Sequence, residues 1–166
     1  MNTTTSAEVS HKSSSTILPL SLFVQAKRDD PSPLILYHGR CADGFSAAWA
    51  AWQFYEGEVE CVGLTHGQVK SMDDLPPLEG RAVYILDFSF AADILSQIDE
   101  RAAKLVLLDH HISAQRELGD YRCRCGVVHF DMNKSGARLS WEFFHGDAPV
   151  PDLIRFVEDR DLWRWQ

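Results

Sequence analysis

The sequence predicts an α/β fold in which a doubly wound, mostly parallel sheet carries helices on both faces. Short runs of Val, Ile and Leu have the length and composition of strands that are buried on both sides. Segments with helical spacing follow several of these runs, and strands joined through helices pair in parallel. A chain of 166 residues with 45% apolar content is also long enough for one domain with a sizeable core.

Five segments are predicted to be strands, and four of them end at an acid or an imidazole. The first run precedes His38, the third precedes Asp87, the fourth precedes Asp109 and the fifth precedes Asp131. In chain order, the predicted strands are 34–37, 60–64, 82–86, 104–108 and 126–130.

Helices are predicted between and after the strands. In the first helix, Phe45 and Trp49 form an i,i+4 pair on one apolar face, as do Ala48 and Trp52. The last helix is expected to start from an N-cap at Asp152. The predicted helical segments are 45–55, 91–103, 113–118, 135–144 and 152–160.

Composition outlines the domain and its setting. Residues 1–32 are predicted to be a disordered or linker tail before a folded unit at 33–166. No apolar run approaches the roughly 18 residues that suggest a membrane-spanning helix. The formal charge of −8 argues against generic binding to duplex DNA. Four cysteines without zinc-finger spacing fit reduced thiols in a cytoplasmic protein.

The ends of the predicted strands indicate a metal site. The carboxyl ends of parallel strands meet at one edge of the sheet, so His38, Asp87 and the run Asp109-His-His111 are expected to converge there. Neighbouring carboxylates repel one another unless a cation lies between them. Each piece has another interpretation, because Asp43 and Asp87 could be N-caps of helices and the Asp109 run could be a polar loop.

Taken in order, these segments resemble the motifs of the DHH phosphoesterase superfamily. Leu107-Leu-Asp-His-His111 resembles the motif that names the superfamily, and Tyr37-His-Gly-Arg-Cys-Ala-Asp-Gly-Phe45 resembles its first motif. Ile85-Leu-Asp87 resembles the second motif, and Val157-Glu-Asp-Arg-Asp-Leu-Trp163 the fourth. The resemblance runs from about Leu34 to Trp163 and is strongest to the oligoribonuclease-like and polyphosphatase-like branch.

The resemblance implies two divalent metal ions, which are manganese in that branch. Cys41 departs from the pattern, because the family's first motif has Asp at this position. A thiolate suits zinc better than manganese, so zinc or magnesium is an alternative, and Cys41 either binds metal or leaves the first position one ligand short. The implied ligands are His38 for the first ion, Asp43 and His110 for the second, Asp87 as the bridge, and Asp161, or alternatively Asp159, as the last ligand.

Other residues are expected to hold the phosphate. The resemblance implies that His111 contacts the scissile phosphate and that Asp109 supports the pair His110 and His111. Arg40 would neutralise phosphate charge. Lys134 and Ser135, between the last strand and the next helix, could bind a second phosphate or could form a capped helix start.

The sequence thus predicts a hydrolase that cleaves phosphodiester bonds of small nucleotides or short oligonucleotides with a metal-activated water. An inorganic pyrophosphatase or polyphosphatase is an alternative, as is an inactive module that binds a nucleotide or a partner. Stacking aromatic residues near the site would favour nucleotides. The smaller second domain of the family is not expected within the chain, and a homodimer is an option. Trp163 and Trp165 could pack on the sheet or contact that second domain. His66 is given no role.

Overall fold

The computed structural model describes residues 28–165. Within this part of the chain, five parallel strands form one sheet in the order β2-β1-β3-β4-β5. The predicted doubly wound α/β fold is confirmed. The strands are β1 Leu34–His38, β2 Glu60–Leu64, β3 Ala82–Leu86, β4 Lys104–Asp109 and β5 Gly126–Phe130.

The helices lie close to where the sequence predicts them, with informative differences at the starts of α1 and α5. Cys41 is extended and takes the N-cap position, so the predicted loop ends before Ala42 and Asp43 lies in the first helical turn. The last helix starts after Pro151, which makes Asp152 its first residue rather than its cap. The helices are α1 Ala42–Phe54, α2 Ala92–Arg101, α3 Ile112–Leu118, α4 Gly136–His145 and α5 Asp152–Asp161, with a 3₁₀ turn at Met72–Asp74.

Alternate residues of each strand pack on opposite faces of the sheet. Leu36 and Ile85 pack with α2 and α3, whereas Ile35 and Tyr84 pack with α1 and α4. Each fully buried Leu or Ile stabilises the fold by about 1.5–3 kcal/mol. Burial on both faces explains why the strands are nearly continuous apolar runs. Helix α5 lies outside α1 and α4, where Ile154 packs in a separate small cluster.

The predicted tail differs from the structure at its carboxyl end. Asp30 lies 3.0 Å from the Lys104 ammonium and accepts a hydrogen bond from the Tyr84 hydroxyl. The backbone carbonyl of Pro31 accepts a hydrogen bond of 2.8 Å from the N–H of Ala82. Asp30 and Pro31 therefore belong to the folded unit, because they supply hydrogen-bond partners to buried groups of the sheet. The rest of the predicted tail, and Gln166, lie outside the described residues.

The strand order places a crevice between β1 and β3. From β1 the chain crosses through α1 to β2 on one side, and from β3 it crosses through α2 to β4 on the other side. Where neighbouring crossovers leave in opposite directions, ligands bind beyond the carboxyl ends of the strands. His38 ends β1 and Asp87 follows β3, so both residues border this crevice. Among residues 28–165, none of the helices combines the length and apolarity needed to cross a bilayer.

Candidate metal centre

Asp87 occupies the centre of the crevice in a backbone conformation that is uncommon for its type. Its φ is 54°, in the left-handed region that mainly glycine, Asn and Asp adopt. The residue is 1% exposed, and neither of its carboxylate oxygens has a hydrogen-bond partner among the described residues. It does not cap α2, whose N-cap is Ala91. Burying a carboxylate without hydrogen bonds is costly unless a positive charge lies beside it, so this arrangement favours a neighbouring cation.

The two oxygens of Asp87 face two different groups of donor atoms. Oδ2 lies 3.5 Å from Nδ1 of His38, and this nitrogen also has no hydrogen-bond partner among residues 28–165. Oδ1 lies 3.2 Å from Nε2 of His110. Donors about 2.0–2.2 Å from one cation lie roughly 3–3.6 Å from each other, which matches both distances. Asp87 therefore stands where a bridging ligand would.

Nε2 of His110 also faces two further carboxylates. It lies 3.4 Å from Oδ2 of Asp43 and 3.4 Å from Oδ2 of Asp161. An N–H at Nε2 could donate a well-aligned hydrogen bond to only one of these carboxylates, whereas a cation could bind the nitrogen and the carboxylates together. Asp159 belongs to none of the donor groups found among the described residues, so the structure favours Asp161 over that alternative.

A second group joins His38, Cys41 and Asp87. One donor atom from each lies within 4.8 Å of the other two. Burial raises the pKa of the Cys41 thiol, and the N–H groups of Gly44 and Asp43 at the start of α1 act against this shift. A Cβ on Gly44 would lie 2.6 Å from Cβ of His38, so glycine is needed there for the helix to approach β1.

Asp43 holds α4 in place as well as facing the centre. Its carboxylate accepts hydrogen bonds from the N–H of Gly136 at 2.7 Å and of Ala137 at 2.9 Å. It thereby caps the start of α4, rather than α1 as the alternative interpretation held. Burial and the charge of Asp87 raise the pKa of Asp43 to about 7. A divalent cation would oppose both effects.

The pKa values of the acids and imidazoles in this cluster are shifted in different directions. Burial acts to raise the pKa of Asp87, but His110 and His38 outweigh it and lower the pKa to about 2. Burial lowers the pKa of His110, but Asp87 and Asp43 outweigh it and raise the pKa. Burial and Asp87 raise the pKa of Asp161, against the attraction of His110. Shifts in opposite directions within one cleft are typical of functional sites.

Asp109 organises the two histidines that follow it. Its Oδ1 accepts hydrogen bonds from the N–H of His110 at 2.7 Å and of His111 at 3.2 Å, and lies 2.6 Å from Nδ1 of His111. Its Oδ2 accepts a bond of 2.6 Å from the Ser89 hydroxyl. With both oxygens engaged, Asp109 is held in place and fixes the start of the segment that carries both histidines. The hydrogen bond to Asp109 raises the pKa of His111 to about 9, against the effect of burial.

The structure corrects part of the predicted phosphate site. Ser135 is fully buried and is the N-cap of α4, where its hydroxyl accepts from the N–H of Arg138. The capped helix start is therefore the correct interpretation, and the predicted contact between Ser135 and a phosphate is wrong. Lys134 lies 2.7 Å from Oε2 of Glu142. Its predicted role with a phosphate stays a prediction.

The acid at the end of β5, Asp131, accepts hydrogen bonds from Asn133 and belongs to no donor group among residues 28–165.

A pocket of about 410 Å³ opens beside the cluster. Arg40 lies on its wall in a left-handed turn with a φ of 60°. The sequence did not predict Arg160 as a second cation in this pocket, nor did it assign Trp163 and Trp165 to the pocket wall. The available signal was that Arg160 and Trp163 lie within the fourth motif and that Trp165 follows two residues later. The pocket is lined by Arg40, Cys41, Ala42, Asp43, Val157, Arg160, Asp161, Trp163 and Trp165.

His66 is a further residue that the sequence reasoning passed over. Its ring centroid lies 5.3 Å from that of His38, and its ring stacks on Phe88 at 4.9 Å. The available signal was its position two residues after β2, which brings it to the same edge of the sheet as the other strand ends.

Comparison with known proteins adds one relative. The chain is 29% identical, over 148 residues, to the uncharacterized protein R106 of Acanthamoeba polyphaga mimivirus. The similarity covers 82% of this chain and 35% of the viral protein, so the chain spans about a third of that relative's length. No protein-family model and no solved structure matches the chain.

Proposed function

We propose that the protein is a metal-dependent phosphohydrolase of the DHH type that cleaves phosphodiester bonds of small nucleotides or short oligonucleotides. The observation that carries this proposal is the position of Asp87. Its two buried oxygens lack hydrogen-bond partners among the described residues and face His38 on one side and His110 on the other. This is the arrangement expected of a carboxylate that bridges two cations.

The donor set fits the cofactors that the DHH resemblance implies. Each ligand named from the motifs offers a donor atom to one of the groups in the crevice, although no two motifs adjoin in the chain. Cys41, Asp109 and His111 contribute further donor atoms to these groups. Two divalent cations about 3.5–4 Å apart would activate a water and stabilise an in-line displacement at phosphorus. Manganese is the proposed metal, with zinc or magnesium as alternatives.

The protein's own residues would orient the phosphate. Asp109 would accept a hydrogen bond from Nδ1 of His111, which fixes the ring and leaves Nε2 for a phosphate oxygen. Arg40 lies on the wall of the adjoining pocket, where a guanidinium can bind phosphate through two N–H groups. Ser89 secures the other oxygen of Asp109, which limits rotation of the carboxylate.

The pocket favours nucleotides over inorganic polyphosphate. Its wall includes Arg40 and Arg160 and also the indoles of Trp163 and Trp165, which are 76% and 65% exposed. Aromatic faces bind bases by stacking, whereas an inorganic phosphate chain would gain nothing from them. A cytoplasmic setting is proposed with this function, and the free thiols of the four cysteines support it.

Hydrolysis assays with the 166-residue chain test the proposal. Manganese-loaded protein should release mononucleotides from a dinucleotide and should lose this activity on chelation or in Asp87→Asn. Asp147→Asn, at an exposed position, is the matched control and should behave as wild type. Preference for pyrophosphate or tripolyphosphate would favour the polyphosphatase alternative. Metal binding without hydrolysis of any of these compounds would contradict the enzyme and favour a binding module.

A further inference from the structure

The two donor groups that share Asp87 differ in chemical character. One consists of His38, Cys41 and Asp87, which offer nitrogen, sulfur and oxygen. The other faces Nε2 of His110 with carboxylates from Asp43, Asp87 and Asp161. We infer that the centre is asymmetric, with a thiolate-ligated zinc position at Cys41 beside an oxygen-rich position for manganese or magnesium. This inference rests on the proposed metal centre and specifies its occupants.

The first position does not depend on the cysteine alone. Nδ1 of His38 and both carboxylate oxygens of Asp87 have no hydrogen-bond partners among residues 28–165, and Asp87 is only 1% exposed. The separation of 3.5 Å between Nδ1 and Oδ2 is close to the roughly 3.4 Å expected for two ligands at tetrahedral angles around zinc. The sulfur of Cys41 is the third donor within 4.8 Å.

The turn after β1 directs Cys41 toward this position. Arg40 has a φ of 60°, so the chain reverses between His38 and Cys41 and brings both side chains to the crevice. Cys41 then takes the N-cap position of α1, yet its side chain makes no capping hydrogen bond. Ser, Thr, Asp and Asn are the usual residues at such a cap, so a cysteine there lacks an explanation from helix stability.

The two positions should differ in metal preference because their ligands differ in softness. Thiolate and imidazole are ligands that zinc binds well, with Zn–S near 2.3 Å and Zn–N near 2.0–2.1 Å. Carboxylates suit manganese and magnesium, which bind thiolates poorly. Zinc binds more tightly than manganese at most sites, so affinity alone does not distinguish the two positions. The distinguishing measurement is how readily the ion at each position exchanges. We expect tightly held zinc at Cys41 and exchangeable manganese at the other position.

Cobalt titration of the metal-free chain tests the inference without an activity assay. Wild-type protein should develop thiolate-to-cobalt charge-transfer absorption in the near ultraviolet, and one equivalent of zinc should abolish it. Cys41→Asp should bind metal without this absorption, and Cys41→Ser should lose more than about 10²-fold in zinc affinity, since even indirect support of a ligand is worth 10–100-fold. Cys61→Ser, at an exposed position on β2, is the matched control and should retain the absorption.

A second measurement uses the wild-type chain and needs no variant to fold. Zinc should slow alkylation of Cys41, read by peptide mass mapping, while the exposed Cys61 and Cys125 should react at the same rate with or without metal. Magnesium should give no protection. Bound metal with neither charge-transfer absorption nor protection of Cys41 would overturn the asymmetric centre but leave the proposed function intact. Failure of the chain to bind any divalent metal would overturn both.

Discussion

Gly136 lies against Asp87 so closely that a Cβ atom on Gly136 would stand 2.7 Å from carboxylate oxygen Oδ1. The first turn of α4 therefore forms one wall of the space that Asp87 occupies. Any side chain at this position would have to displace either the helix or the carboxylate. The glycine thus links helix packing to the geometry of the proposed bridging ligand.

Gly136→Ala should weaken divalent-metal binding by about 10–100-fold without removing a ligand, because the added methyl would move Asp87. The overpacking should also destabilise the fold by about 1–3 kcal/mol. Calorimetric titration with manganese measures the first effect and urea unfolding the second. Gly80→Ala is the control for destabilisation alone, since Gly80 has a φ of 71° but no atom within 4 Å of the place that a methyl group would take. Unchanged metal affinity in Gly136→Ala would contradict the prediction.

Asp43 and Asp161 should differ in their effect on stability although both face His110. Asp43→Ala leaves the buried N–H groups of Gly136 and Ala137 without their acceptor, so the metal-free protein should lose about 1–2 kcal/mol. Asp161→Ala breaks no such bond and should stay within about 0.5 kcal/mol of wild type. Urea unfolding in the presence of chelator measures both. Equal losses in the two variants would show that Asp43 does not cap α4.

His111→Gln should lower kcat/KM by about 10²–10³-fold and leave the number of bound metal ions unchanged. The reason is the proposed role of His111, in which Asp109 accepts from Nδ1 and Nε2 is left for a phosphate oxygen. His111 also belongs to a group of potential metal donors with Asp87, Asp109 and His110, so the metal count is the deciding readout. Steady-state kinetics and elemental analysis of the same preparation provide the two readouts. Loss of one metal ion from the variant would assign His111 to the ligand set instead.

Trp165→Ala should raise KM for a dinucleotide by about 5–150-fold, which corresponds to about 1–3 kcal/mol of base stacking. Hydrolysis of inorganic pyrophosphate, if detectable, should be unaffected because it has no base. The exposed indole can be removed with little effect on the core. Phe156→Ala serves as the control, since Phe156 is 70% exposed on α5 and does not line the pocket. A similar change in KM for both substrates would exclude a stacking role.

Glu142 should make stability depend on pH. Burial acts to raise the pKa of Glu142, but Lys134 and Arg138 outweigh it and lower the pKa from its ordinary value of 4.5. A lowered pKa in the folded state means that the stabilisation is present above pH 4.5 and is lost as the pH falls through the folded pKa.

The free energy of unfolding of Glu142→Gln should therefore fall below that of wild type at pH 7, by no more than about 1 kcal/mol. The two values should converge as the pH falls below 4.5. Urea unfolding at several pH values in chelator measures the difference. A difference that grows toward acid would reverse the sign and exclude this ion-pair network as its source.

The sequence by itself determined the local structure and the chemistry of the strand ends. Continuous apolar runs require burial on both sheet faces, and the residues that stop these runs, such as His38, Asp87 and Asp109, must then lie at the edge. The motif resemblance also named the donor types. The prediction of the sheet succeeds because strand formation and strand direction depend on neighbouring residues and on the crossover rule.

Only the tertiary structure decided which of these residues share a centre. The order of the strands sets β1 beside β3, and the return of α5 across α1 and α4 brings Asp161 to His110, although 51 positions separate them in the chain. The capping of α4 by Asp43 and the burial of Ser135 follow from the same helix packing. Contacts between distant segments depend on how whole elements pack, and residue patterns within one element do not carry that information.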